Sequence, residues 1–344
     1  WEKTFLFNED TIKYWEAERL TGRLNRNNIE ILLHCIAVIK GFYDPDTHSL
    51  CDLSRLYKEE LTKETKDELK IFINEIIEYA EIYRENILAF NNTTLFLFED
   101  SVKRLLHILE VLEISTFHPF ILYVFNEFEG DKVKNILFNL EKFIIKTMFS
   151  NKEKKNYNKL CKSFIKDPSP IEQKLNSTEY KTEFANGLRS ISNKSAALLL
   201  FWIELYRRHK DSRYDIKELK YNYSLEHIMP QKWEEHWKVF PNKCNPGNSE
   251  MTEEQSKIER KNKVFWIGNM TLLTSSLNSA LRNYNFEKKM NGEGRKKGIK
   301  AYADLSITKD DIVATFEKGD IVWDENKIKE RTDKLEKEIK DIWG

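Results

Sequence analysis

From Asn8 to about Phe149, apolar side chains recur every three or four residues, the spacing that places them on one face of a helix. Asn27 or Asn28 can cap a helix whose Ile29, Leu32, Leu33, Ile36 and Ile39 share a face until Gly41 ends it. Leu69, Phe72, Ile73, Ile76, Ala80 and Tyr83 form a second stripe, with charged residues opposite. Ser101 to Ile114 repeats the pattern, His118-Pro119 breaks it, and Phe120 to Phe128 and Val133 to Phe149 resume it before the charged run Asn151 to Lys155. No internal period appears, so the stripes predict a helical bundle and not a solenoid.

Asp167-Pro168-Ser169-Pro170 reads as a linker, which gives two domains, 1–168 and 169–344. Beyond it the pattern changes. Ala196 to His209 is too apolar for a surface helix and is expected to support the strands after it, and Asp215 to Lys220 reads as a short connector. Tyr223 to Gln231 alternates as a short strand, which Pro230 forbids from continuing as a central one. A polar insert from Trp233 to Lys263 carries Pro241, Pro246 and Gly247 and predicts a long loop with a helix at Glu253 to Lys261. After a Gly-Asn turn signal, Met270 to Leu273 makes a second strand, and Thr274 or Ser275 can cap a helix carrying Leu277, Asn278 and Leu281. The expected fold is mainly α: an N-terminal helical bundle followed by an α+β domain in which strand, loop, strand and helix set His227, Asn269 and Asn278 at three corners.

Composition narrows the function classes. The 344 residues are 40% hydrophobic and 33% charged, as in a globular protein with ample core. No apolar run approaches the roughly 18 residues of a membrane span, and no signal peptide is evident, so a cytoplasmic protein without membrane association is expected. The first residue is Trp1, within what reads as structured sequence, so the chain is taken as part of a longer protein. Cys35, Cys51, Cys161 and Cys244 form no Cys-x-x-Cys pair, which argues against disulfide frameworks and zinc knuckles. Net charge is +0, so any nucleic-acid contact must come from local clusters, the clearest being Lys288, Lys289, Arg295, Lys296, Lys297 and Lys300. His34, His107 and His118 lie in or beside apolar stripes and are expected to be packed or surface histidines.

The order Glu226-His227, Asn269 and Asn278 on strand, turn and helix resembles the ββα-metal, or HNH, nuclease motif in its His-Asn-Asn form. Glu226-His227-Ile228-Met229-Pro230-Gln231, Ile267-Gly268-Asn269-Met270-Thr271-Leu272-Leu273, Asn283-Tyr284-Asn285-Phe286-Glu287-Lys288-Lys289 and the closing Trp323 to Trp343 segment around Arg331 resemble the C-terminal nuclease domain of GmrSD-type, modification-dependent (type IV) restriction endonucleases. The resemblance implies a metal-dependent DNA endonuclease or nickase acting in defence against foreign DNA. It assigns Glu226 and Asn278 as metal ligands and Asn269, nine residues before Asn278, as a brace of the loop. Some HNH enzymes carry His where Asn278 stands, which bears on metal preference.

The chemistry of the residues agrees. Phosphodiester hydrolysis needs a water deprotonated near neutral pH, and His227, with an ordinary pKa of about 6.5, is the candidate general base. Oxygen donors on Glu226 and Asn278 suit Mg2+, or Mn2+, better than zinc. Adjacent residues of a regular strand point to opposite faces, so Glu226 and His227 share a site only if the strand ends there. Arg282, Asn283, Lys288 and Lys289 are candidate DNA contacts. The resemblance also implies an N-terminal nucleotide-hydrolysing domain in the same protein. No Gly-rich phosphate loop occurs in this chain, so it is expected neither to bind nor to hydrolyse nucleotide. The competing function is a catalytically silent module that grips DNA or a partner.

Overall fold

The computed structural model describes residues 1–21, 24–87, 89–149, 156–176, 186–237, 252–281, 283–319 and 321–344. The chain divides into two compact units, Trp1–Asn91 with Ser101–Tyr180 and Asn92–Asp100 with Lys181–Gly344. The turn at Asp167 to Pro170 lies inside the first unit, between two of its helices.

The first unit is built of α1 (Glu9–Glu16), the antiparallel hairpin strands β1 (Glu18–Thr21) and β2 (Leu24–Asn27), α2 (Asn28–Lys40), α3 (Leu53–Leu61), α4 (Lys66–Asn86), α5 (Ser101–Val111), α6 (His118–Glu127), α7 (Gly130–Thr147), α8 (Tyr157–Lys166) and α9 (Pro170–Leu175). Local chemistry sets the ends. The Asn27 side chain accepts from the Glu30 amide at the start of α2, and Gly41 closes that helix in the left-handed region at φ 84°. Pro119 does not stop a helix so much as open one: it sits in the first turn of α6, where its missing N–H costs nothing. α6 is the centre of the bundle, packed against α2, α4, α7 and α8, and its Phe120, Ile121, Leu122 and Val124 are fully buried. The predicted stripe on α4 is buried only in its second half, at Ile76, Ala80 and Tyr83, joined there by Tyr79; Ile73 is exposed.

In the second unit α10 (Asn193–Lys210) is the apolar support that the sequence predicts. Leu198 to Ile203 and Leu205 are fully buried, and the helix packs on both strands of an antiparallel pair, β5 (Ser224–His227) and β6 (Met270–Leu273). The expected connector before β5 contains a strand of its own: β4 (Leu219–Lys220) pairs with β3 (Leu95–Phe96), which draws Asn92–Asp100 into this unit. α11 (Glu253–Lys263) covers the predicted helix of the insert. A 3-10 turn at Ile267–Asn269 leads into β6, and α12 (Ser275–Leu281) follows at once. α13 (Phe286–Asn291), the hairpin β7 (Gly292–Glu293) and β8 (Lys296–Lys297), and the long α14 (Glu325–Trp343) complete the unit. Among the described residues no helix is long and apolar enough to cross a membrane.

Candidate active site

β5 and β6 pair in the register Ser224↔Leu273, Leu225↔Leu272, Glu226↔Thr271 and His227↔Met270, so His227 stands at the last pair of the ladder. Beyond it Ile228 and Met229 turn into the core with Trp233, Leu273, Leu277 and Trp323. Glu226 and His227 are both paired within the ladder, and Lys289 links the Glu226 carboxylate to the His227 carbonyl.

Asn269 fixes the end of β5. Fully buried, it accepts from the Met229 amide at 2.9 Å and from Trp323 Nε1 at 3.2 Å, and donates to the carbonyls of Met229 at 2.8 Å and Val264 at 2.9 Å. Four bonds to three separate segments use both the donors and the acceptor of one carboxamide. The Ile228 amide adds a bond to the Asn269 carbonyl at 2.9 Å. Asn278, on α12, donates from Nδ2 to the Leu225 carbonyl at 2.9 Å, which anchors the helix to β5 one residue before Glu226.

His227 is half-buried and its Nε2 is shielded from solvent without a hydrogen-bond partner among the described residues. Burial, and secondly the Lys289 cation, lower its pKa to about 4, so the ring is neutral at neutral pH and its acceptor is uncommitted. Glu226 is engaged. The Lys289 ammonium pairs with Glu226 Oε1 and donates to the His227 carbonyl at 2.8 Å. Burial raises the Glu226 pKa and lowers that of Lys289, and the attraction between the two opposes both shifts.

The other expected contacts separate. Lys289 has a side-chain exposure of 0%, so its charge faces inward to Glu226 and not outward to a phosphate. Lys288 lies over the Tyr284 ring at 3.8 Å and pairs with Glu293 at 2.5 Å. Asn283 is exposed, next to Arg282, which lies outside the described residues. Lys288, Arg295, Lys296 and Lys297 line a cavity of about 390 Å³ with Leu281 at the end of α12.

Residues 173–338 match the family model of the GmrSD restriction endonucleases, C-terminal domain. The match is confined to this C-terminal part of the chain. No curated protein and no solved structure matches the chain.

The GmrSD match marks a restriction-endonuclease-type domain and spans every residue of the candidate site. Two residues that the sequence marks, Lys289 as a candidate DNA contact and Arg331 at the centre of the closing segment, are instead buried beside the candidate site. Lys289 shares a face with Phe286 and Met290, and Arg331 falls on the buried stripe of α14 with Ile328, Leu335 and Ile339. Arg331 Nη1 donates to the carbonyls of Gly268 at 2.8 Å and Met270 at 2.6 Å, and Nη2 donates to that of Ile307 at 2.8 Å, pinning both ends of the turn that carries Asn269. A charge on an apolar stripe is the signal that finds both.

Among the described residues no group of three or more His, Cys, Asp or Glu side chains is arranged to hold a metal. Glu226 and Asn278 are a smaller set, one carboxylate and one carboxamide. Their hydrogen bonds use Glu226 Oε1 and Asn278 Nδ2, which leaves the second oxygen of Glu226 and Oδ1 of Asn278 without a protein partner among the described residues. Two hard oxygen donors fit a hydrated divalent cation, which keeps most of its waters.

Proposed function

We propose that this domain is a metal-dependent DNA endonuclease or nickase of the HNH type, the effector part of a restriction or anti-phage system. One observation carries the reading: a neutral histidine with an uncommitted ring nitrogen stands at the end of a strand that a buried asparagine holds in place, with a second asparagine tying the following helix to the same strand. In this reading the His227 imidazole takes the proton of the attacking water, which arrives with the nucleic-acid strand laid against the end of β5. Asn269 positions His227 by fixing the backbone after it. Glu226 and Asn278 would hold Mg2+ or Mn2+, whose charge offsets the negative charge of the transition state and departing oxygen. Lys288, Arg295, Lys296 and Lys297 hold flanking phosphates from the cavity beside α12.

The test is cleavage of supercoiled plasmid with Mg2+ or Mn2+. The wild-type chain is expected to nick or linearise it, and His227→Ala to lose activity by 10² or more, roughly, while keeping its thermal midpoint, since Nε2 has no hydrogen-bond partner among the described residues. Undiminished cleavage by that variant rejects His227 as the base. The Lys289–Glu226 pair favours a second reading, a silent DNA-binding module, because it engages one of the two expected metal donors. Salt-sensitive, metal-independent binding with no cleavage under any divalent ion selects it.

A further inference from the structure

The helical unit contains a cavity of about 200 Å³ that the nuclease reading does not use. Its lining includes Arg26 from β2, His34 from α2, His118 at the start of α6, Tyr43 and Asn158. Arg26 is 8% exposed. Its Nη2 donates to the Glu30 carbonyl at 3.0 Å, but its Nε is buried and donates to nothing among the described residues, where it also has no carboxylate partner. Nδ1 of His118 is likewise buried and unpartnered among those residues. His34 sets its ring edge-on to Tyr43 with centroids 4.8 Å apart.

A guanidinium taken out of water without a counter-charge is costly, and an unmade hydrogen bond to it costs more than a neutral one. The neighbours sharpen the imbalance. Burial first, and then Arg26, push His34 down to about 4. Burial first, and then Arg19, His34 and Arg26, push His118 down to about 3. Among the described residues, the arginines that act on the two rings, Arg19 and Arg26, both bring positive charge. Ser115, Thr116 and Asn158, half-buried at the lining, leave the cavity a polar approach from the surface.

We propose that this cavity binds a small oxyanion, a phosphate group, which supplies the counter-charge to Arg26 and accepts hydrogen bonds from its Nε and from His118 as the Nδ1–H tautomer. A guanidinium is suited to such a group because its N–H donors form a planar fork that matches two oxygens at once. The site lies wholly in the helical unit and stands independently of the nuclease reading.

The test uses the full chain and two probes, inorganic phosphate and glycerol 3-phosphate, each titrated at constant ionic strength made up with chloride. Saturable movement of the His34 and His118 ring signals in NMR is expected, with a rise in the thermal midpoint of roughly 2–4 °C at saturation. Arg26→Gln should abolish both responses, while His227→Ala retains them. Equal response to both probes assigns a phosphomonoester, and response to inorganic phosphate alone assigns the free ion. Should Arg26→Gln fail to fold, Asn158→Ala and the wild-type ring signals decide. Ring signals that stay still, a response that chloride reproduces, or an unaltered response in Arg26→Gln overturns the proposal.

Discussion

At the scale of single residues, the candidate site is built around a side chain whose donors and acceptor are all taken up by the protein itself. Asn269 joins the segment after β5, the end of α11 and Trp323 through four hydrogen bonds in a fully buried place. Removing one partner from such a set leaves the others unsatisfied, which is worse than never having had them. Asn269→Ala is therefore expected to cost roughly 3–4 kcal/mol in urea unfolding. Asn269→Asp keeps the two accepting interactions and loses the two donating ones, so it should fall between. A cost under about 1 kcal/mol for the alanine variant, within the range of an ordinary surface change, would remove Asn269 from its bracing role. The sequence makes Asn269 legible as a turn residue beside Gly268. It does not reveal that the partners are Met229, Val264 and Trp323, because those contacts are set by tertiary packing.

At the scale of elements, the turn before β6 is clamped from outside by α14. A methyl group on Gly268 would overlap the Ile328 carbonyl and the Thr332 side chain and amide. The Gly268 amide also donates to Thr332 Oγ1 at 3.1 Å, and Arg331 holds the Gly268 carbonyl. Helix and turn therefore touch backbone to backbone, and only glycine permits it. Gly268→Ala should force α14 away from the turn and cost at least about 3 kcal/mol, the upper end for overpacking. Gly130→Ala is the control: its added methyl meets nothing within 4 Å, so only its φ of 59° is strained, at about 1 kcal/mol. Equal losses for the two would dismiss the clamp. Periodicity and caps made α2, α10 and the β5–α12 order readable. β3 and β4 were not readable, since two-residue strands carry no period and are made only by each other's presence.

At the scale of the whole molecule, charges on apolar stripes separate what was legible from what was not. The stripes gave the helices, but Lys289, Arg331, Arg104 and Glu141 lie inside the packed units, and a one-dimensional pattern assigns a charge to the surface by default. Histidine tells the same story with a measurable consequence. His34, His107 and His118 of the helical unit are held neutral by burial, with pKa values lowered to about 4, 3 and 3. In the unfolded chain each titrates near 6.5. Between those values the unfolded state binds more protons than the folded one, so stability rises with pH across the window and falls as pH drops from about 6.5 toward 3. Arg19 and Arg26 strengthen the effect at His118, because a second positive charge there meets theirs. Hydrogen exchange of α2, α5 and α6, corrected for the intrinsic rate at each pH, should therefore be several-fold faster at pH 5 than at pH 7.5, and a phosphate in the Arg26 cavity should slow it. Equal protection at the two pH values would mean that these rings accept protons in the folded state at little cost, and with that the case for an uncompensated positive cluster would fall.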